Sequence, residues 1–300
     1  MEIKKILCFG DSITGTCVTG QNTYDGLKFY PYLLGKHFDC EVNNFGLGNN
    51  SNEKIAMDVT QSLLSGDFEN NFFIINWTTN SRRMYYYEDL YSWSNNNALN
   101  LMHKSSLMDT FSSLNCIKTT QSLLEDRGIP YLMFIGWRTD YIFEKNKLVW
   151  LANDYNNDDY YAHMNVNLKN YGEVKDTKGV YSEFYLNNKG KKRTPQVVTF
   201  IDIIQFLCSS IDLNCFIKQE FYQFLLNVGI KEFKTYEHHP TNPTKIPPKV
   251  GIDGVPYKDG ERLTISNKDL HPNELGHKLW TDEILIPNIK RITNANTKNK

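Results

Sequence analysis

Up to Trp137, short apolar runs alternate along the chain with longer stretches of helical periodicity. Ile3 to Phe9 is an apolar run that gives way to Gly10-Asp11-Ser12, the pattern of a buried strand followed by a turn. A short helix is predicted over 29–37, a second strand from Cys40 to Phe45, and a helix from Glu53 to Leu64 with Ile55, Val59 and Leu63 on one face. Phe72 to Asn76 predicts a third strand. Leu107 to Arg127 predicts a long helix stopped by Gly128 and Pro130, and Tyr131 to Ile135 a fourth strand. Strands alternating with helices predict a parallel sheet covered by helices on both faces, with right-handed crossovers.

Beyond Trp137 the periodicity fades. Residues 138–196, rich in Asn, Asp, Lys and Tyr, read as an insertion. Val197 to Ile203 predicts a fifth strand, and 204–228 a helix with Ile217, Phe221, Phe224, Leu225 and Val228 on one stripe. Pro240, Pro243, Pro247 and Pro248 mark 237–262 as irregular. A last helix is predicted to open at His271-Pro272-Asn273 and run to about Ile286, with a frayed tail after about residue 288. The chain has no internal repeat.

Composition narrows the classes. At 300 residues the chain is long enough for two ordinary domains or one enlarged one, and it can fold without disulfides or a structural metal. The 33 basic and 34 acidic residues leave a net charge of −1, which offers no overall attraction for nucleic acid or an anionic membrane. No apolar run approaches the ~18 residues of a membrane helix, and the apolar stretch at the start is too short for a secretory signal. The expectation is a soluble, cytoplasmic protein with neither nucleic acid nor membrane as partner. The six cysteines form no C-x-x-C pair and no zinc-spaced cluster, so they read as reduced, mostly buried thiols.

Two motifs could carry chemistry. Gly10-Asp11-Ser12 directly follows the first strand, and in an open parallel sheet the working residues lie just beyond the carboxyl ends of strands. The competing reading is that Asp11 or Ser12 caps the segment that follows. Near the other end stands Asp269-Leu270-His271-Pro272. A serine hydroxyl needs a base to take its proton, and an imidazole of pKa ~6.5 suits that task at neutral pH. A carboxylate fixes the tautomer of the imidazole and stabilises its cation, and Asp269 is the nearest supplier. Asp269 and Pro272 also suit a helix start, which accounts for Asp269 but not for His271.

In this order these residues resemble the SGNH (GDSL-type) hydrolase family, whose nucleophile lies in an N-terminal Gly-Asp-Ser motif and whose Asp and His lie close together near the C-terminus. The resemblance spans nearly the whole chain, with its firmest matches at the two ends. It implies an α/β fold, a three-layer α/β/α sandwich with a parallel, flavodoxin-like sheet, in which Ser12 is the nucleophile, His271 the general base and Asp269 its orienting partner. The family more often places the Asp three residues before the His, where this chain has Lys268. It also implies an oxyanion hole made by the Ser12 amide, a glycine amide after the second strand and an asparagine side chain after the third. The segment Asn44-Phe45-Gly46-Leu47-Gly48-Asn49 offers Gly48, or Asn49 in its place, since asparagine tolerates a left-handed backbone. Trp77-Thr78-Thr79-Asn80-Ser81-Arg82 replaces the family's Gly-x-Asn-Asp; strand-end alignment points to Thr79, and Asn80, one residue later, is the expected donor.

With Ser12 at one end and His271 at the other, one sheet uses both ends of the chain. The expected organisation is a single domain over 1–300, with insertions at about 138–196 and 204–262. Three look-alikes are weaker. Gly10 and Gly15 have the spacing of a phosphate loop, but Thr16 stands where its lysine belongs. Gly46-Leu47-Gly48 begins like a dinucleotide fingerprint, but Ser51 replaces the third glycine. His238-His239 and Asp154, Asp158 and Asp159 lack the spacing of a metal site. No cofactor and no metal are expected.

Aromatic residues crowd the insertions and the loops after strands, among them Trp77, Tyr85, Trp93, Trp137, Trp150 and Tyr160. Their rings suit stacking on a sugar, or packing of the insertions onto the core. Arg82, Arg83 and Arg138 fall where strand ends would face the site, and one of them suits an anionic group on a substrate. Asp11, Trp77 and Arg82 are the candidate substrate-binding residues. The predicted activity is that of a serine esterase removing a small O-acyl group, such as acetyl, from a small molecule or glycan through an acyl-enzyme. The competing readings are a lipase-type esterase for long acyl chains and a carbohydrate-binding or assembly module that has lost turnover.

Overall fold

The computed structural model describes residues 2–15, 28–48, 50–64, 66, 68–79, 84–87, 90–93, 106–136, 141–144, 147–150, 203–204, 206–232, 257, 261–264 and 271–298. In chain order its strands are β1 (Lys5–Phe9), β2 (Glu41–Asn44), β3 (Asn71–Trp77), β4 (Met84–Tyr87), β5 (Leu90–Trp93), β6 (Tyr131–Ile135), β7 (Tyr141–Glu144) and β8 (Lys147–Trp150). Its helices are α1 (Tyr30–Phe38), α2 (Asn52–Leu64), α3 (Ser106–Asp126), α4 (Phe221–Glu232), α5 (Glu274–Trp280) and α6 (Ile286–Lys298). A π-helical segment, Thr281–Leu285, joins the last two.

Four strands form one parallel sheet in the order β2-β1-β3-β6. Cys8 pairs with Asn44 on one side and Ile74 on the other, and Ile74 pairs in turn with Leu132. The chain steps from β1 outward to β2, then returns across β1 to β3. In open α/β sheets such a reversal of winding marks the place where ligands bind, beyond the carboxyl ends of the two strands, here β1 and β3.

Both faces of the central strands are covered, which is why they read as unbroken apolar runs. Leu7, Phe9, Phe73, Ile75, Met133 and Ile135 pack against Ile55, Val59 and Leu63 of α2 and Leu114, Ile117 and Leu124 of α3. The alternate residues Ile6, Cys8, Phe72, Ile74, Leu132 and Phe134 pack against α1, α4, α5 and α6, with Tyr30, Leu34, Phe221, Trp280 and Ile289 at the contact. The period of two along each strand therefore divides two cores, and the result is a three-layer α/β/α sandwich. No helix among the described residues is long and apolar enough to cross a membrane.

Four expectations need correction. The sheet position beyond β6 is met by Cys215-Phe216-Ile217, through a parallel bridge between Met133 and Phe216. Met133 N donates to the Cys215 carbonyl and Ile217 N to the Met133 carbonyl, each at 2.8 Å. Ile203, the last residue of the expected fifth strand, is helical instead, and 197–202 lie outside the described residues. The expected helix over 204–228 is thus interrupted. Gln121 of α3 holds the break, accepting from Asp212 N at 3.0 Å and donating to the Asp212 carbonyl at 2.8 Å, while Asp212 Oδ1 accepts from Asn214 N.

The tail is not frayed at 288. α6 runs to Lys298, and Ile286, Ile289 and Ile292 are buried at successive helical turns. Finally, two antiparallel hairpins, β4 with β5 and β7 with β8, occupy stretches in which no strand was expected. The second lies at the start of the insertion read as irregular.

Candidate active site

The turn that carries Ser12 begins where β1 stops. Thr14 N and Gly15 N both donate to the Asp11 carbonyl, at 2.9 and 3.0 Å, so the chain coils tightly as it leaves the sheet. Ile13 N donates to Asp11 Oδ1 at 3.0 Å and closes the turn from inside. Gly10 is required by close approach: a Cβ there would lie 2.1 Å from Thr14 Oγ1 and 2.8 Å from Asn76 Cβ. Ser12 itself is largely buried, at 5% exposure.

His271 is brought in from the far end of the chain by Asn273. An antiparallel bridge pairs Thr264 with Pro272, and Asn273 N donates to the Leu263 carbonyl at 3.0 Å. The Asn273 side chain donates to the Arg262 carbonyl at 2.6 Å and the Thr264 carbonyl at 3.3 Å. Its Oδ1 accepts from Gly276 N at 2.9 Å, capping α5 from an extended backbone. Gly276 lets the helix press on the same segment, since a Cβ there would stand 2.4 Å from the Leu263 carbonyl oxygen.

These two anchored segments meet. His271 Nε2 lies 2.7 Å from Ser12 Oγ. With that nitrogen unprotonated the serine hydroxyl donates and the imidazole accepts, the arrangement in which a base removes the hydroxyl proton. Asp269, expected to orient the imidazole, lies outside the described residues, as do Asn80, Arg82, Arg83, Arg138, Asn49 and the look-alike residues His238, His239, Asp154, Asp158 and Asp159. Gly48 is buried in the turn after β2. Leu47 N and Asn50 Nδ2 both donate to the Gly10 carbonyl, at 3.2 and 2.9 Å, so the Gly48 loop is held against the residue two before Ser12.

Two residues named as substrate contacts are placed otherwise. The Asp11 carboxylate is wholly buried: Oδ1 accepts from Ile13 N and Asn76 Nδ2, and Oδ2 accepts from Thr78 Oγ1 at 2.7 Å. Among the described residues three donors meet it from inside the protein and hold it against the turn. Trp77 is 1% exposed and sits in the core beneath α2 and α3, since β3 alternates and its odd-numbered residues face that layer. The packing role of this ring replaces the stacking role.

Several polar residues near the site went unread in the sequence. Asn76 Nδ2 donates to Asp11 Oδ1 at 2.9 Å and to Thr14 Oγ1 at 3.1 Å, and Tyr30 at the start of α1 donates to the same Thr14 oxygen at 3.0 Å. Asn52 of α2 takes Thr78 N on its Oδ1 and returns its Nδ2 to the Thr78 carbonyl. The available signal was an asparagine inside the apolar run of β3. His277 was also missed. Burial, followed by the proximity of His271, pushes its pKa down to about 3, and neither ring nitrogen finds a hydrogen-bond partner among the described residues. The ring is instead met edge-on by Phe29 and Phe221, at centroid distances of 4.8 and 5.3 Å. A polar residue thus behaves as a core aromatic.

The described cysteines are not poised as alternative nucleophiles. All five are free thiols, and burial raises each one's pKa, to about 12 for Cys116 and Cys208 and about 11 for Cys215. Neutral thiols of this kind are poor nucleophiles near pH 7.

No protein-family model matches the chain, and no curated protein matches it. Solved structures do. An acetyl xylan esterase is 15% identical with a TM-score of 0.40, over 94% of this chain and 98% of that one. A member of the lipolytic G-D-S-L family from Veillonella parvula is 12% identical with a TM-score of 0.37, over 94% and 96%. A mutant of an acetyl-xylooligosaccharide esterase from Geobacillus is 14% identical with a TM-score of 0.35, over 96% of both. Identities this low leave function to be read from the residues of this chain.

Proposed function

We propose that this protein is a serine hydrolase of esters, acting on a small O-acyl group such as acetyl carried by a small molecule or glycan. The observation that most supports the reading is the 2.7 Å approach of His271 Nε2 to Ser12 Oγ at the carboxyl end of β1. Ser12 Oγ attacks the ester carbonyl carbon as His271 takes its proton, and the carbonyl electrons move onto oxygen. The Ser12 and Gly48 amides and the Asn80 side chain are the proposed donors to that oxyanion. The tetrahedral adduct collapses, the C–O bond to the alcohol breaks, and His271 returns the proton to the leaving oxygen. Water, deprotonated by His271, then attacks the acyl-enzyme and releases the acid with Ser12 restored. Asp269 is the proposed partner of the second imidazole nitrogen, holding the tautomer that leaves Nε2 free to accept.

The choice of a small acyl group rests on the sequence: the long segment after Trp137 is polar and aromatic, which suits a hydroxylated alcohol better than a long acyl chain. A fluorophosphonate probe with intact-mass analysis tests the chemistry. One adduct per chain on Ser12, absent in Ser12→Ala, is expected; folded protein that forms none is a binding module without turnover. Nitrophenyl acetate against nitrophenyl octanoate tests the acyl group, and a clear preference for octanoate would replace the small-acyl reading with the lipase one.

A further inference from the structure

Beneath Ser12 an apolar sheet contains a buried polar cluster that packing alone does not call for. Asp11, Thr14, Asn76 and Thr78 are each 0% exposed. Burying polar atoms costs stability unless they are paired, and apolar residues of the same shape serve a core as well or better. The cluster has a direction. Asn76 Nδ2 spans the turn, reaching Asp11 Oδ1 before Ser12 and Thr14 Oγ1 after it. Thr78, two residues further along the chain, donates to the other Asp11 oxygen at 2.7 Å. Ile13 N also donates to Oδ1, so both carboxylate oxygens are held and the backbone of Ser12 is fixed between two tethered neighbours. Thr78 is itself held, at both its N–H and its carbonyl, by Asn52 of α2.

From this geometry we infer that Thr78 and Asn76 are positioning residues for Ser12. From the end of β3 they grip the Asp11 carboxylate, and through it they set the angle at which Ser12 Oγ meets His271 Nε2. Neither needs to touch substrate. The inference rests on the ester-hydrolase reading and extends it to the residues that hold the nucleophile.

Thr78→Val keeps the side-chain shape and removes the donor, Thr78→Ser keeps the donor, and Thr78→Ala serves if the valine variant does not fold. Each is compared with wild type for kcat and KM on nitrophenyl acetate, for the rate of fluorophosphonate adduct formation, and for thermal unfolding. Misplacement of a reacting group by about 1 Å can cost roughly 10²-fold. The expected result is a kcat lowered roughly 10–100-fold in Thr78→Val, KM changed by less than about twofold, adduct formation slowed in step, and Thr78→Ser restored to within about threefold of wild type. A valine or alanine variant with wild-type kcat overturns the inference. So does a loss fully accounted for by unfolded protein at the assay temperature. If wild type neither forms a Ser12 adduct nor hydrolyses the ester, the ester-hydrolase reading fails and the inference with it; an active wild type matched by Thr78→Val sinks the inference alone.

Discussion

Nε2 of His271 lies 2.7 Å from Oγ of Ser12, although 259 positions of chain separate them. Ser12 is held by the turn leaving β1, and His271 by the pairing of residues 262–264 with 272–273. Groups that act as one unit lose activity together and not in multiples. Ser12→Ala, His271→Ala and the double variant are each expected to lower kcat on nitrophenyl acetate by at least about 10³-fold, to a common residual level. Initial rates normalised to folded protein check this. A double variant far below either single one would mean that the two residues work independently.

His277 makes a prediction about pH. The native imidazole, pushed down to about 3 by burial and by His271, stays neutral where the unfolded one, near ~6.5, takes a proton. Above pH ~6.5 neither state binds that proton and His277 adds no pH dependence. Below it the unfolded chain binds one proton more, so stability falls by about 1.4 kcal/mol per pH unit until about pH 3. His277→Leu removes this dependence. Urea unfolding of both proteins at pH 7 and pH 5 is expected to show wild type losing roughly 2 kcal/mol more than the variant between the two. Equal losses would show that His277 is protonated in the native state.

Legibility in the sequence follows how local each signal is. β6 is predicted at Tyr131 to Ile135 and found there, because a continuous apolar run bounded by Pro130 and Gly136 has one solution in a covered sheet. Ser12 and His271, the proposed nucleophile and base, could be singled out because such residue types are scarce in telling positions, and the fold brings them to 2.7 Å. Asp11 was misread as a substrate contact because a carboxylate beside a nucleophile looks outward on paper, whereas donors from β3, distant in the chain, turn it inward. The 204–228 stretch was misread for a similar reason. Its apolar spacing fits a helix, but Gln121 on α3 holds the break and β6 takes Phe216 as its neighbour. Such tertiary partners leave no local periodicity to read.

Asn273 joins two functions in one side chain, so its loss should register twice. Asn273→Ala removes the cap on Gly276 N and leaves the Arg262 and Thr264 carbonyls without this donor. A lost cap costs typically ~1 kcal/mol, and a lost hydrogen bond a similar amount, for a total of about 1–3 kcal/mol. Because His271 stands two residues earlier, hydrolysis of nitrophenyl acetate, where the proposed function holds, should also fall at temperatures where the variant is fully folded. Asn273→Asp keeps the cap but not the donor, and is expected to recover stability more than activity. Chemical denaturation paired with initial rates separates the two effects. Unchanged activity in a destabilised Asn273→Ala would confine the residue to helix capping.

The end of the chain gives the sharpest contrast between pattern and packing. Polar residues dominate after Pro287, yet Ile289 and Ile292 face the core beneath β6 while Lys290 and Arg291 face outward, and Arg291 donates to the Asn214 carbonyl at 2.6 Å. The terminal helix therefore closes one layer of the sandwich and ties down the segment that extends the sheet edge. Replacing a fully buried isoleucine by alanine costs about 2–5 kcal/mol, whereas exposed substitutions stay within about 0.5 kcal/mol. Ile289→Ala is expected to lower the unfolding midpoint accordingly, with Lys290→Ala indistinguishable from wild type. A frayed tail would leave both variants at the wild-type midpoint, so urea denaturation of this adjacent pair decides whether α6 belongs to the cooperative core.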